Sequence, residues 1–279
     1  MVLTKKQKAV KLVTTLAVGA VAILFVSPLL WMVSASLKRN GEVFAQPFRW
    51  LPENFVWSNY ADVWWNGGVT MLRAYWNSLI IVSVSVVGSL IIASLAAYAF
   101  AKIQFKGKNL VFMIFLSSMM IPSQTTLVPR FMLFRTMGLY NSLWAVILPG
   151  LFSATAIFML RQFYIGLPND LMEAAKIDGA GHLRIFGQIM LPLTKAALVS
   201  LTILSFIANW NEYLSPLIFL TKKELYPVSM SIRWWMLDDG HEYAKVMAAS
   251  TSAIIPVVIL FIACQKYFVE GIATSGVKG

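Results

Sequence analysis

The chain has 279 residues, of which 58% are hydrophobic and only 13% charged, against roughly 45–50% and about 25% in soluble globular domains. Ordinary soluble surfaces are already more than half apolar, so a chain this apolar cannot be enclosed as a soluble globule and reads as a membrane protein. The 23 Lys and Arg against 12 Asp and Glu give a net charge of +11, which would raise nucleic acid as a partner in a soluble chain, whereas here membrane topology competes as the explanation.

A helix that spans the hydrocarbon core needs about 20 mostly apolar residues. Six runs qualify, at 12–37, 78–100, 110–129, 142–160, 196–220 and 246–264. They predict an all-α, polytopic transmembrane helical bundle forming a single domain over residues 1–279. Lys5, Lys6, Lys8 and Lys11 precede the first run as in a signal peptide. The run is too long for that and shows no small-residue cleavage site before Lys38, so a retained first helix is expected. Five runs contain proline, at Pro28, Pro122, Pro149, Pro216 and Pro256. A membrane tolerates the lost donor only where neighbouring helices or water re-satisfy the backbone. The third run also holds Ser123-Gln124-Thr125-Thr126, polar groups expected to face a bundle interior or a wet cavity.

Basic residues set the orientation. With the N-terminus cytoplasmic, thirteen lie inside, concentrated before the first run and in the short loop Lys102-Ile-Gln-Phe-Lys-Gly-Lys108. Divided by side, the charge is +9 inside and +3 outside, with Glu212 within a span. The basic balance is therefore a topology signal, both termini are expected inside, and nucleic acid is set aside as a partner. Trp50, Trp57, Trp64, Trp65, Trp76, Trp234 and Trp235 fall in outer loops, with Trp31 and Trp144 at outer helix ends. An interfacial belt in contact with lipid explains such a distribution, and a sugar- or partner-contacting surface is the alternative.

Enzyme signatures are missing: the sequence has no phosphate-binding G-x-x-x-x-G-K-[ST], no H-E-x-x-H and no G-x-S-x-G. Cys264 is the one cysteine, which excludes an intrachain disulfide, and His182 and His241 alone make a zinc site improbable. The cluster Asp238-Asp239-Gly240-His241-Glu242 reads as a solvated loop, because adjacent acids do not converge on one cation. No metal, catalytic or cofactor site is expected in this chain.

Between the fourth and fifth runs lies Leu167-Pro-Asn-Asp-Leu-Met-Glu-Ala-Ala-Lys-Ile-Asp-Gly-Ala180, continuing to Ile189-Met-Leu-Pro192. Asp170 and Glu173 have capping-box spacing, predicting a helix from about Leu171 to Asp178. Gly179 supplies the left-handed residue that ends it. A second helix is expected from about His182 until Pro192 enters the next span. The first is too short to cross a membrane and suits the interface or a groove on a partner.

Glu173-Ala174-Ala175, then Gly179, then Ile189-x-Leu191-Pro192 resembles the EAA loop of permease subunits in ATP-binding-cassette importers. Asn77-Ser78, Ala96-Ala97-Tyr98-Ala99-Phe100-Ala101-Lys102, Gly138-Leu139-Tyr140-Asn141-Ser142, Trp210-Asn211-Glu212-Tyr213 and the terminal Gly276-Val277-Lys278-Gly279 resemble the carbohydrate-importer branch. The chain is similar to this six-helix family, with its type I importer permease fold, over almost its whole length. The family often carries a second proline where this chain has Ala196, which predicts a less kinked entry to the fifth helix.

The resemblance implies a multi-pass protein of a bacterial or archaeal cytoplasmic membrane that imports a carbohydrate, an oligosaccharide in the first place, with another polar solute such as a glycerol phosphate diester as the alternative. It implies a homologous second permease, two ATPase subunits that bind the ATP, and an extracytoplasmic solute-binding protein met by the loop 221–243. Within the coupling loop 167–195, Glu173, Ala174, Ala175, Asp178, Gly179, Ile189, Leu191 and Pro192 are the implied ATPase-coupling residues. The tail Gly276–Gly279 is implied to reach towards the ATPase. Glu212 is the one acid placed within a span, where a carboxylate costs about 2.5–3.5 kcal/mol at the helix centre and so faces protein or water. Asn209, Trp210 and Glu212 are the candidate residues of the translocation path, with 208, 212 and 215 sharing one helix face and Asn211 about 100° away. A secondary transporter competes less well, lacking further intramembrane charges and a duplicated half.

Overall fold

Backbone N–H and C=O groups in hydrocarbon must be paired within the segment that carries them, which favours helices, and the computed structural model, which describes residues 4–237 and 242–276, has no strand among them. Helix α1, Lys5–Ser36, begins at a capping box: the Thr4 hydroxyl accepts from Gln7 N–H, and the Gln7 side chain accepts from Thr4 N–H. It is apolar all round, and no residue of its most apolar 18-residue stretch is buried, which is how a lipid-facing helix reads. Short α2, Ser58–Ala61, precedes α3, Met71–Lys102. Helices α4, Lys108–Ser117, and α5, Leu127–Thr136, follow, then α6, Trp144–Gly150, and α7, Ala154–Ile165. The loop helices are α8, Asp170–Ile177, α9, His182–Ile185, and α10, Leu191–Leu193. The rest are α11, Lys195–Trp210, α12, Leu214–Phe219, α13, Val228–Leu237, and α14, Tyr243–Gly276.

Four helices are long and apolar enough to span a bilayer, and two bent pairs raise the number to six. One bend falls inside the run 110–129, the other just ahead of the run 196–220, which is itself broken after Trp210. The third span turns by 92° between Lys108–Met120 and Ser123–Thr136. Pro122 has no N–H to donate and disfavours helical geometry in the residue before it, and Ile121 is accordingly extended. The fifth span stops at Trp210, leaving Asn211–Tyr213 irregular before α12.

At the entry to α11 the chain bends by 76°, so the less kinked entry expected from Ala196 does not occur. The cause is Thr194, fully buried, whose hydroxyl donates to the carbonyls of Met190 (3.2 Å) and Leu191 (2.9 Å). Such back-bonding bends helices without a second proline.

The chain divides into two compact units, Met1–Met71 with Ser231–Ile255, and Leu72–Met230 with Pro256–Gly279. In the first, the buried Asn59 amide donates to the carbonyls of Ser36 and Lys38, both at 2.9 Å. Trp234 and Trp235 are 7% and 2% exposed and pack edge to face with centroids 4.9 Å apart. These two tryptophans therefore leave the interfacial belt expected of them, while Trp50, Trp57, Trp65, Trp76 and Trp144 stay exposed. The indoles fit because Gly67 and Gly68 face them without side chains; a Cβ on Gly67 would run into the Trp235 ring. Lys245 lies over that ring at 5.4 Å and pairs with Asp62 and Glu242. Asp238–His241 of the expected acidic loop lie outside the described residues.

The second unit is built on α3. Ser78, Val82, Ser85, Ser89, Ala93 and Ala97 are buried at intervals of three and four residues, a stripe mostly of small residues of the kind that lets membrane helices approach closely. Gly88 extends it, its missing side chain filled by Leu151.

Replacing Gly67 with Val is expected to destabilise the first unit by about 1–3 kcal/mol through overpacking. The check is the thermal midpoint in detergent with tryptophan emission as the signal. Gly41→Val, at a glycine with no atom within 4 Å, should leave both unchanged.

Candidate functional site

Two places in the second unit carry chemistry that helix packing alone does not require: the loop 167–195 and the break between α11 and α12.

The loop is built onto the ends of α3 and α7. Lys102, the last residue of α3, donates to the Leu167 carbonyl and to Asn169 Oδ1, each at 2.7 Å. Arg161 on α7 lies 4.1 Å over the Phe112 ring and donates to the Phe100 carbonyl at 3.3 Å. Met172 and Ala175 turn inward from α8 and join a core of Tyr98, Leu160, Tyr164, Ile185 and Met190. Tyr98 Oη also bonds His182 Nδ1 at 3.2 Å.

The capping box expected at Asp170 is not formed. Asn169 is the N-cap, its side chain making no capping bond to the helix, and Asp170 is the first helical residue. The Asn169 carbonyl accepts from Met172 and Glu173 N–H instead. Glu173 is left on the outer face with no side-chain partner among the described residues. The helix ends as expected: Gly179 has φ +78°, its N–H donates to the Lys176 carbonyl, and Ala180 N–H donates to the Ala175 carbonyl at 2.9 Å. These are the two closing bonds of a Schellman motif, in which a side chain at the left-handed position is strained.

The coupling candidates thus separate. Glu173, Ala174, Asp178 and Gly179 lie on the outer surface; Ala175 is in the core; Ile189 and Leu191 are half-buried in the following turns; Pro192 is exposed in α10. Ile177 and Leu183, 87% and 80% exposed, add apolar groups to that outer surface.

At the second place, Glu212 lies in the irregular segment beyond α11, so 208, 212 and 215 do not share one continuous helix, yet all three line the same cavity. Its Oε1 accepts from Ser215 N–H at 2.8 Å, satisfying a donor at the start of α12. Its backbone carbonyl accepts from the Ser229 hydroxyl at 2.8 Å. Asn209 Nδ2 donates to the Ser205 carbonyl at 2.8 Å. A Cβ on Gly150 would meet Asn209 Oδ1 at 2.9 Å and Ser85 Oγ at 2.8 Å, so glycine is what lets these helices meet. Asn209 and Glu212 line a half-open cavity of about 400 Å³ with Ser123, Gln124 and Ser215. The polar run that interrupts the third span therefore reaches a cavity through its first two residues.

Trp210 does not line this cavity. It is 3% exposed, stacked on Phe206 with centroids 5.6 Å apart and set edge-on to Tyr75. Arg130, absent from the candidates drawn from sequence, lines the cavity instead. Its Nη2 donates to Ser215 Oγ at 3.2 Å, and its guanidinium lies 5.2 Å from the Phe219 ring centre.

The residue pairs singled out in the sequence clamp the segment after α12. Asn77 Nδ2 donates to the Glu224 and Tyr226 carbonyls, and Ser78 Oγ accepts from Val228 N–H at 2.9 Å. Asn141, left-handed at φ +61°, accepts through Oδ1 from Thr221 and Lys222 N–H, each at 3.0 Å.

The described residues thus form a helical membrane-type fold with two bent spans, an outward-facing short helix and a polar cavity. Residues 88–274 match the family described as binding-protein-dependent transport system inner membrane component, and the chain belongs to that family. It is 35% identical over 271 residues to the arabinooligosaccharides transport system permease protein AraQ of Halalkalibacterium halodurans, covering 95% of each chain. Its identity to AraQ of Bacillus subtilis is 33%, over 96% of each chain. It is also 33% identical to the sn-glycerol-3-phosphate transport system permease protein UgpE of Pectobacterium atrosepticum, covering 93% of this chain and 94% of that one. A chain in the crystal structure of a bacterial ABC transporter involved in the import of the acidic polysaccharide alginate superimposes with a TM-score of 0.83, at 24% identity, over 96% of this chain and 99% of that one. The type I importer permease fold expected from sequence is borne out.

Lys102→Met removes both bonds that hold the start of the loop. Limited proteolysis should then cut within residues 166–181 several-fold faster, while the thermal midpoint of the bundle stays within about a degree of the parent, as for loss of a surface-side tether.

Proposed function

We propose that this chain forms half of the translocation pathway of an ATP-driven importer for an oligosaccharide, beside a homologous second permease and above two ATPase subunits that bind the ATP. In this reading both termini and the loop 167–195 are cytoplasmic, and an external solute-binding protein delivers the cargo near the loop 221–243. Residues 277–279 of the tail assigned to the ATPase lie outside the described residues.

The observation that carries the reading is the loop. Its inner face is committed to the bundle through Met172, Ala175, Lys102 and Tyr98. Its outer face offers Ile177, Leu183, Ala174 and an unpaired Glu173. A short helix fixed behind, with exposed apolar groups among charged ones in front, suits docking in a groove on a partner. Ala174 permits close approach, and Glu173 is available to a basic group of the ATPase. Force applied there passes through the Thr194 bend into α11, whose far end carries Asn209 and Glu212. These two, with the polar start of α5's preceding turn, are the residues proposed to line or gate the pathway.

The relatives named for arabinooligosaccharides support a sugar as cargo, and those named for sn-glycerol-3-phosphate support the second reading, a phosphate-bearing polar solute.

In vesicles holding the full complex, Gly179→Pro and Glu173→Lys are each expected to lower solute imported per ATP hydrolysed by at least tenfold, with membrane insertion intact. Proline cannot adopt φ +78°, and lysine reverses the charge offered to the partner. Unchanged uptake in both, or uptake driven by an ion gradient without the ATPase, would contradict the proposal.

A further inference from the structure

The cavity beside the α11–α12 break is lined by one cationic and one anionic side chain, both bonded to Ser215. Arg130 and Glu212 are the ionisable side chains among the described residues that line it. Ser215 anchors both: its hydroxyl accepts from Arg130 Nη2 at 3.2 Å, and its N–H donates to Glu212 Oε1 at 2.8 Å. The Phe219 ring 5.2 Å away supports the guanidinium from behind. Arg130 Nε is buried without a hydrogen-bond partner. A guanidinium has five donors, and most of these remain unused.

Alone, such an arginine would suit a carboxylate or phosphate, which it binds through paired N–H groups. Glu212, bonded to the same Ser215, changes the selection. Its charge offsets that of Arg130, and it repels any anionic group that approaches the fork. What the pair offers together is adjacent donors and acceptors, with further amide and hydroxyl groups from Asn209, Gln124 and Ser123. A vicinal diol both donates and accepts and carries no charge, so it meets each of these groups at no electrostatic cost. The volume of about 400 Å³ falls in the range of small-molecule sites, about 300–1,000 Å³.

We infer that Arg130 and Glu212 together make this cavity selective for uncharged, polyhydroxylated solutes over anionic ones. The inference rests on the reading above that the cavity belongs to the pathway. It opposes the phosphate-bearing second reading.

The test is equilibrium binding to the assembled transporter without its external binding protein, so that only the membrane complex selects. The probes are a neutral pentose trisaccharide and the same trisaccharide ending in a uronic acid. The parent complex should hold the neutral sugar at least tenfold more tightly. Glu212→Gln, which keeps an oxygen for Ser215 N–H, should shift the ratio towards the acidic sugar by at least tenfold, and Arg130→Gln should shift it the other way. An unchanged ratio in both variants, a parent preference for the acidic sugar, or retention of neither sugar would overturn the inference. ATP-dependent uptake measured on the same preparation separates the two claims. If it persists while the ratio fails to move, selection at Arg130 and Glu212 is refuted and the importer reading stands; if it is absent, the reading beneath has failed.

Discussion

In a hydrocarbon environment no backbone donor or acceptor can be left to water, so every interruption of a helix there needs a substitute partner. The second unit interrupts its helices at defined points and supplies those partners from side chains. Thr194 turns its hydroxyl onto two carbonyls where the chain bends into α11. Glu212 gives a carboxylate oxygen to Ser215 N–H where α12 begins. Asn141 serves two N–H groups just beyond α12, and Asn77 two carbonyls further along. Each break exposes polar groups that a continuous helix would have hidden, and the polar cavity lies beside one of them.

This constraint also relates the two proposed working parts. Helix α11 joins the bend at Thr194 to the break after Trp210, and its 16 residues span about 24 Å at 1.5 Å per residue. Its Trp210 end is packed by Phe206 and Tyr75, and its Thr194 end is continuous with the loop that carries α8. In the proposed coupling, a partner that moves α8 moves a packed rod rather than a flexible linker. The cavity residues Asn209 and Glu212 sit at the far end of that rod.

Local chemistry made much of this legible. Apolar length marked the four long helices and parts of the two bent pairs, and Gly179 after a short helical pattern marked a left-handed stop because few other residues adopt that backbone. The motif residues Asn77, Ser78 and Asn141 stood out, although only their contacts show that they clamp distant backbone. Arg130 was not legible, because it followed a span drawn as straight; the 92° turn at Pro122 is what brings it to the cavity. Trp234 and Trp235 read as belt residues because nothing in their own segment signals the bare surface of Gly67 and Gly68. Trp210 and Glu212 are near neighbours in sequence and have opposite fates, since the helix ends between them.

The central claim is that the outer surface of α8 and α9 is the contact through which the ATPase acts. Ile177→Cys and Leu183→Cys, each in a Cys264→Ser background, place single thiols at the two most exposed apolar positions of that surface. The account predicts that a short bifunctional thiol reagent joins each variant to an ATPase carrying a cysteine in its membrane-facing cleft, and that a membrane-impermeant maleimide labels these thiols in the permease alone but not in the assembled complex. Thiols that stay labelled in the complex and form no cross-link would contradict it.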